Sequence, residues 1–92
     1  MGLVERTATV ANRLGLHARP AAELVKVANR FEASLELSKD GTWVNAKSIL
    51  GVMTLAAEQG STLTIKGDGP DAGDAVGAVA AVVERDWDLT DV

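Results

Sequence analysis

The chain has no cysteine and no tyrosine, one histidine, two prolines and three aromatic residues. Without thiols there is no disulfide framework, no thiolate zinc site and no cysteine nucleophile. With His17 as the single histidine, a multi-histidine metal centre is excluded, and neither a metal nor any other cofactor is expected. Three aromatics are too few for the platforms on which nucleic-acid bases stack, and a net charge of −4 makes nucleic acid a poor partner. No apolar run approaches the roughly 20 residues of a membrane helix, so no membrane insertion is expected. The N-terminal MGLVERTA lacks basic residues followed by an apolar core, so it does not read as a signal peptide. The expectation is a cytoplasmic protein.

Hydrophobic residues make up 47% of the 92 positions and charged residues 24%, which is globular composition and enough apolar surface to offset chain entropy. The length suits one domain, residues 1–92. Charge is uneven along the chain. From Asp68 onward there are seven acids (Asp68, Asp71, Asp74, Glu84, Asp86, Asp88, Asp91) against Arg85 alone, which leaves residues 1–67 at +2. A site for an anionic ligand or an acidic protein is therefore expected in that first part.

Leu3 to Val10 alternates Val4, Ala8 and Val10 with Glu5, Thr7 and Thr9, so it reads as a strand with one wet face. Asn12-Arg13-Leu14-Gly15 is a break. From Ala18 to Phe31, Ala21, Leu24, Val25, Ala28 and Phe31 recur at helical spacing. Pro20 fits only the first turn of that helix, which places its start at about His17. Ala33, Leu35 and Leu37 alternate with Ser34, Glu36 and Ser38 in a second strand. Asp40-Gly41 signals a two-residue hairpin turn, and Thr42 to Asn45 returns as the third strand. Ile49, Val52, Met53 and Ala56 share a face of a short helix ended by Gly60. Ser61 to Lys66 is a fourth strand with Leu63 and Ile65 inward. Pro70-Asp71 opens a last helix whose stripe is Ala72, Ala75, Val76, Val79, Val82, Val83 and Trp87. The order βαββαβα predicts an α+β open-faced two-layer sandwich. Three helices should cover one face of a mainly antiparallel sheet and leave a Thr- and Ser-rich face wet, with no large apolar interface, so a monomer is expected.

Several patterns imitate nucleotide sites. Gly41 followed by Ala46-Lys47-Ser48 lacks the second glycine on which a P-loop cradle depends, and the hairpin needs Gly41. Gly67-x-Gly69-x-x-Ala72 has no later strand or acidic ribose partner, so it reads as a loop with Asp71 as helix cap. Asp68, Asp71 and Asp74 lack the glycine and closing glutamate of an EF-hand and read as a solvated acidic face.

Gly15-Leu16-His17-Ala18-Arg19-Pro20-Ala21 carries more. His17 falls at the N-cap of the first helix, where the N–H groups of Ala18 and Arg19 have no partner within the helix. An anion there gains about 0.3–1 kcal/mol from the dipole alone. Arg19 adds a guanidinium suited to phosphate oxygens. On the residues alone two readings stand. One is an inert N-cap histidine, which is the usual fate of an isolated one. The other is a phosphoryl acceptor whose ring nitrogen attacks and whose neighbours hold the phosphate. Nothing else in the chain supplies a general base, a metal or a nucleotide pocket, so even the second reading is a carrier between partner proteins rather than an enzyme.

That run, together with Ala46-Lys47-Ser48-Ile49-Leu50-Gly51-Val52-Met53, resembles the two signatures of the HPr family, the histidine-containing phosphocarriers of the bacterial phosphoenolpyruvate-dependent phosphotransferase system. The resemblance in element order and length covers nearly the whole chain. It implies a four-stranded antiparallel sheet with three helices. It implies that His17 takes a phosphoryl group on Nδ1 from phosphohistidine on enzyme I and passes it to a histidine on an enzyme IIA component, with Ala18 and Arg19 binding the phosphate. It also implies that Ser48, otherwise a plain N-cap serine, is the site of an HPr kinase/phosphorylase in the subset of the family that the Lys47 to Met53 stretch resembles. A transcriptional regulator is a further expected partner. The partner surface is expected to join an apolar patch of Leu16, Leu50 and Met53 to a positive rim of Arg19, Lys26 and Lys47, with Arg13 added; Ile49 and Val52 are expected in the core. The Asn12 to Gly15 stretch resembles the nitrogen-regulatory branch, and a non-catalytic regulatory module of the same fold is the alternative from another class.

Overall fold

Period-two alternation resolves into four strands, β1 (Leu3–Thr9), β2 (Ser34–Lys39), β3 (Thr42–Asn45) and β4 (Thr62–Asp68), in the computed structural model, which describes residues 2–87. Asp88 and Asp91, two of the acids in the C-terminal stretch, lie outside the described residues. All pairings are antiparallel, in the order β1-β4-β2-β3. One row across the sheet runs Arg6, Ile65, Leu37, Val44; the next, on the opposite face, runs Glu5, Lys66, Glu36, Asn45. A slip of one residue would turn Leu35, Leu37, Leu63 and Ile65 into water, so burial itself sets the register. The β2–β3 turn has positive φ at Asp40 (52°) and Gly41 (84°), as a type I′ hairpin requires.

Three helices, α1 (Ala18–Ala28), α2 (Ile49–Thr54) and α3 (Ala72–Glu84), complete the order βαββαβα. Helix α3 packs on β1 and β4 and against α1, and α1 in turn meets α2. The core joins Leu24, Leu35, Leu37, Leu63 and Ile65 to Val10, Val52, Val76, Val79 and Val83. Each large side chain removed from water contributes about 1.5–3 kcal/mol. Ala21, Ala28, Ala75 and Ala80 are fully buried, and their small side chains let the helices approach closely. The stripe expected along the last helix is buried throughout, Trp87 included, although α3 itself ends at Glu84.

Four local expectations change. Helix α1 stops at Ala28, short of Phe31, because Asn29 turns the chain: its Nδ2 donates to Val25 O (2.9 Å) and to Lys47 O (3.2 Å). Helix α2 ends at Thr54, well before Gly60, with Ala56 at φ 50°. The Lys39 ammonium reaches across from β2 to the carbonyls of Ala56 (3.1 Å) and Leu55 (3.4 Å), satisfying groups that a longer helix would have used. Of the face Ile49, Val52, Met53 and Ala56, only Val52 is buried, and Leu55 takes the next inward position. Ser38, placed on the wet face, is buried there, in a central row between Thr64 and Trp43. Trp43 also carries the Lys66 ammonium 4.7 Å from its ring centroid, and Lys66 pairs with Glu36 at 3.5 Å.

The fourth change is at Asp71. It occupies the N-cap position of α3 but makes no side-chain cap. Its carboxylate instead accepts from Glu32 N (3.0 Å) and Ala33 N (2.9 Å), clamping the turn between α1 and β2 onto the start of α3. Those backbone bonds, Glu32 first and aided by the Lys47 charge, hold its pKa below the ordinary carboxylate value, against a smaller opposing effect of burial. A carboxyl whose pKa is depressed by folding stabilises the fold above its unfolded pKa, roughly 3.9, and loses that contribution as pH falls through the folded value. Urea midpoints of wild type and Asp71→Asn are therefore expected to differ most near neutrality and to converge well below pH ~4. A gap that persists at the acid end would contradict this account.

Candidate functional site

The site is built from the loop that ends in α1. Asn12 is fully buried, and its Nδ2 donates to Gly15 O at 3.0 Å while Gly15 N donates to Asn12 O at 2.9 Å, closing a tight turn. Gly15 sits at φ 72°, and a Cβ there would collide with the carbonyl oxygen of Ala57. The same oxygen accepts from Leu16 N at 2.9 Å. The Leu16 side chain, expected on the exposed patch, is buried at 5% exposure. With its amide tied to Ala57 and its side chain in the core, it anchors the backbone that presents His17.

His17 is the N-cap of α1, with extended backbone (φ −73°, ψ −172°), and its carbonyl accepts from Ala21 N at 3.0 Å. Its side chain makes no cap bond, so the ring is not committed to the helix. The residue is half-buried, and Nε2 is enclosed without a hydrogen-bond partner. With the ring hydrogen on Nε2, the lone pair lies on Nδ1, as a nucleophile requires. Ala18 and Arg19 occupy the first two helical positions, whose amides have no carbonyl partner within the helix, while buried Pro20 has no N–H to contribute.

Arg19 is exposed, and its guanidinium lies 5.8 Å from the centroid of the Trp87 ring; Arg85 lies 4.1 Å from the same ring. The Trp87 Nε1 donates to Val82 O at 3.2 Å. Trp87 and Arg85 thus join the site from the far end of the chain. The only sequence signal for Trp87 is its place in the apolar stripe of the last helix, which speaks for burial and says nothing of Arg19. Leu14, 63% exposed in the loop before His17, also reads in the sequence only as part of a break.

Helix α2 supplies the neighbouring surface. Leu50 is 77% exposed and Met53 42%, as expected of a contact patch, while Val52 is buried. Ile49, expected in the core, is 41% exposed and joins them, because a six-residue helix turns only one narrow face inward. The chain leaving α2 reaches Ala57, whose carbonyl binds the residue before His17, whereas the chain entering α2 offers Lys47 O to Asn29 at the end of α1. The two helices therefore run in opposite senses, and Met53 stands toward the His17 end. Ser48 stands at the other end, across a helix α1 of 11 residues or roughly 16 Å. There Ser48 Oγ accepts from Gly51 N at 3.2 Å as the N-cap of α2. Lys26, exposed in the last turn of α1, and Lys47 belong to that far end too. The Lys47 ammonium, expected on the rim, donates to Phe31 O at 2.7 Å and braces the turn after α1. The structure thus brings His17, Ala18 and Arg19 together and sets Ser48, Lys26 and Lys47 apart from them.

The imitations of nucleotide sites have structural uses. Gly41 makes the hairpin, and Gly69, at φ 152°, lets the backbone pass against Ala33. Among the described residues no helix is long and apolar enough to cross a membrane.

Comparison with known proteins places the fold within a known family. A family model described as the PTS HPr component phosphorylation site matches residues 4–85. The phosphocarrier protein HPr of Cupriavidus necator is 46% identical over 81 residues, which is 88% of this chain and 91% of that protein. The crystal structure of a phosphocarrier protein HPr from Bacillus anthracis superposes with a TM-score of 0.87 at 48% identity, covering 91% of this chain and 100% of that one. The crystal structure of Crh, a Bacillus subtilis catabolite repression protein reported as a domain-swapped dimer, is 45% identical with a TM-score of 0.71, covering 87% and 92%.

Two glycines separate the site's packing from simple backbone preference. Gly41 has positive φ but open space around it, so Gly41→Ala is expected to cost about 1–2 kcal/mol. Gly15→Ala should cost about 1–3 kcal/mol beyond that, because its Cβ overlaps Ala57. Urea unfolding of the two variants measures the difference, and equal losses would show that the Gly15–Ala57 contact is unimportant.

Proposed function

The chain belongs to the HPr family of phosphocarrier proteins, and on that premise we propose that His17 relays a phosphoryl group from phosphohistidine on enzyme I to a histidine on an enzyme IIA component in the cytoplasm. The carrying observation is the half-buried His17 at the head of α1, with Nε2 enclosed and without a partner, two residues before the exposed Arg19. The Nδ1 lone pair attacks the phosphorus of the donor, the donor's N–P bond breaks, and its electron pair returns to the donor imidazole. The reverse exchange delivers the group to the acceptor. The amides of Ala18 and Arg19 and the Arg19 guanidinium bind the phosphoryl oxygens. An open cradle of this kind holds the group without trapping it, which suits a carrier that must release what it binds.

Ile49, Leu50 and Met53 form the apolar contact for both partners. Met53, with a flexible thioether, adapts to two different surfaces. Arg19 and Lys26 supply positive charge for acidic partners, while Leu16 and Lys47 support the surface from beneath. Ser48 is the site of an ATP-dependent HPr kinase/phosphorylase. A phosphate there adds roughly −1.5 to −2 charge at a helix N-terminus, which the helix tolerates. Standing away from His17, it acts through the shared docking face and not through the ring. The similarity to Crh favours a second role, in which the Ser48-phosphorylated form binds a transcriptional regulator.

Label from phosphoenolpyruvate, passed through catalytic enzyme I, is expected on wild type as an acid-labile, base-stable adduct and to be absent from His17→Ala. A folded wild type that takes no label, beside a working carrier as control, would leave the regulatory module as the reading. In the same assay Met53→Glu and Ser48→Asp are each expected to raise KM for enzyme I about tenfold, or ~1.4 kcal/mol. Their thermal midpoints should stay near wild type, since Asp is itself a good N-cap. Unchanged KM in both would remove α2 from the docking surface.

A further inference from the structure

The chain leaves α2 through a residue that backbone preference disfavours. Ala56 sits at φ 50°, in the left-handed region where a Cβ crowds the following carbonyl. Glycine is the usual residue at such a helix exit. Leu55 before it and Ala57 after it are buried, while Ala56 itself is exposed. Strain of this kind persists only where the surrounding structure over-determines it.

Lys39 supplies that constraint from β2. Its half-buried ammonium donates to Ala56 O at 3.1 Å and to Leu55 O at 3.4 Å. These carbonyls belong to the two peptide groups on either side of the Ala56 Cα. Gripping both fixes the planes whose relative rotation defines the left-handed step, and a charged donor bonds more strongly than a neutral one. The next carbonyl, Ala57 O, accepts from Leu16 N at 2.9 Å and lies where a Gly15 Cβ would collide with it. Beyond Ala57 the chain pairs with the opening segment, Gly60 N donating to Val10 O and Val10 N to Ser61 O, both at 2.9 Å. Ala57 O is thus held on its downstream side by backbone pairing and on its upstream side by Lys39.

We propose that Lys39 is a positioning residue of the relay: its ammonium holds Ala56 in the left-handed turn, which keeps Ala57 O on the Leu16 amide and so aims His17. This rests on the phosphocarrier reading and adds a residue that acts on the ring only through the chain. Leu16 is joined to His17 by one peptide bond, so a shift of its amide moves the imidazole directly. Phosphoryl transfer between two proteins needs the attacking nitrogen in line with the donor, and small misplacements slow such steps. The docking residues Ile49, Leu50 and Met53 precede the turn, so aim and docking are separable.

Lys39→Met keeps the stem and removes the donors. Amide hydrogen exchange at Leu16 is expected to quicken about tenfold, the size of one charge-assisted hydrogen bond, with β4 amides unchanged. The kcat for phosphorylation by enzyme I is expected to fall about three- to tenfold, with KM within about twofold of wild type. Lys39→Arg, which keeps charged donors, should lose less. Ala56→Gly removes the strain that Lys39 offsets, so the double variant Lys39→Met/Ala56→Gly is expected to recover both Leu16 protection and kcat. Wild-type exchange and kcat in Lys39→Met would overturn the proposal. So would a loss that Ala56→Gly does not restore. Where Lys39→Met alone folds poorly, a folded and active double variant supports the proposal, and one that stays unfolded or slow overturns it. A folded wild type that takes no label would instead overturn the phosphocarrier reading and end any role of Lys39 in a relay, while Leu16 exchange still reports whether Lys39 holds the loop.

Discussion

One carbonyl organises the site. Ala57 O accepts the amide of Leu16, and the absence of a Cβ on Gly15 lets that oxygen come close enough to do so. The contact fixes the loop immediately before His17 to the loop immediately after α2. It forces Leu16 into the core, sets His17 at the head of α1 with an extended backbone, and lays α2 beside α1 with Met53 toward the His17 end. A larger residue at position 15 would disturb all three together, because they share one short stretch of chain.

The same arrangement separates two kinds of chemistry. At one end of the α1–α2 pair stand His17, Ala18 and Arg19, where helix amides and a guanidinium suit a transient phosphoryl group. At the other stands Ser48, whose oxygen caps a helix of six residues. Between them lie Leu50, Met53 and Ile49, exposed and apolar.

Charged side chains that look available on paper are largely structural. Lys47 braces Phe31, Lys39 closes the end of α2, and Asp71 clamps the backbone of Glu32 and Ala33. Each satisfies backbone groups at a helix end or a turn, where the regular ladder leaves donors or acceptors over. In a chain of 92 residues with a thin, alanine-rich core, such bonds position the elements as much as apolar packing does.

The element order, the wet and dry parities of the strands, the Asp40-Gly41 hairpin and the start of α1 at His17 were legible in the sequence, because each follows from local rules: a period, a turn dipeptide, a proline allowed only in the first turn. His17 and Arg19 were legible as candidates through their positions at a helix start, whereas the position of Ser48 spoke only for an N-cap and its candidacy came from the family resemblance. Only the tertiary structure decided that Leu16 is buried and Ile49 exposed, that Lys47 and Asp71 serve distant backbone, and that Trp87 lies near Arg19. Those facts depend on which segments meet across the sheet and between helices. A one-dimensional pattern states how a residue is spaced from its neighbours in the chain, but a hydrogen bond or a ring contact depends on the neighbours that folding brings to it.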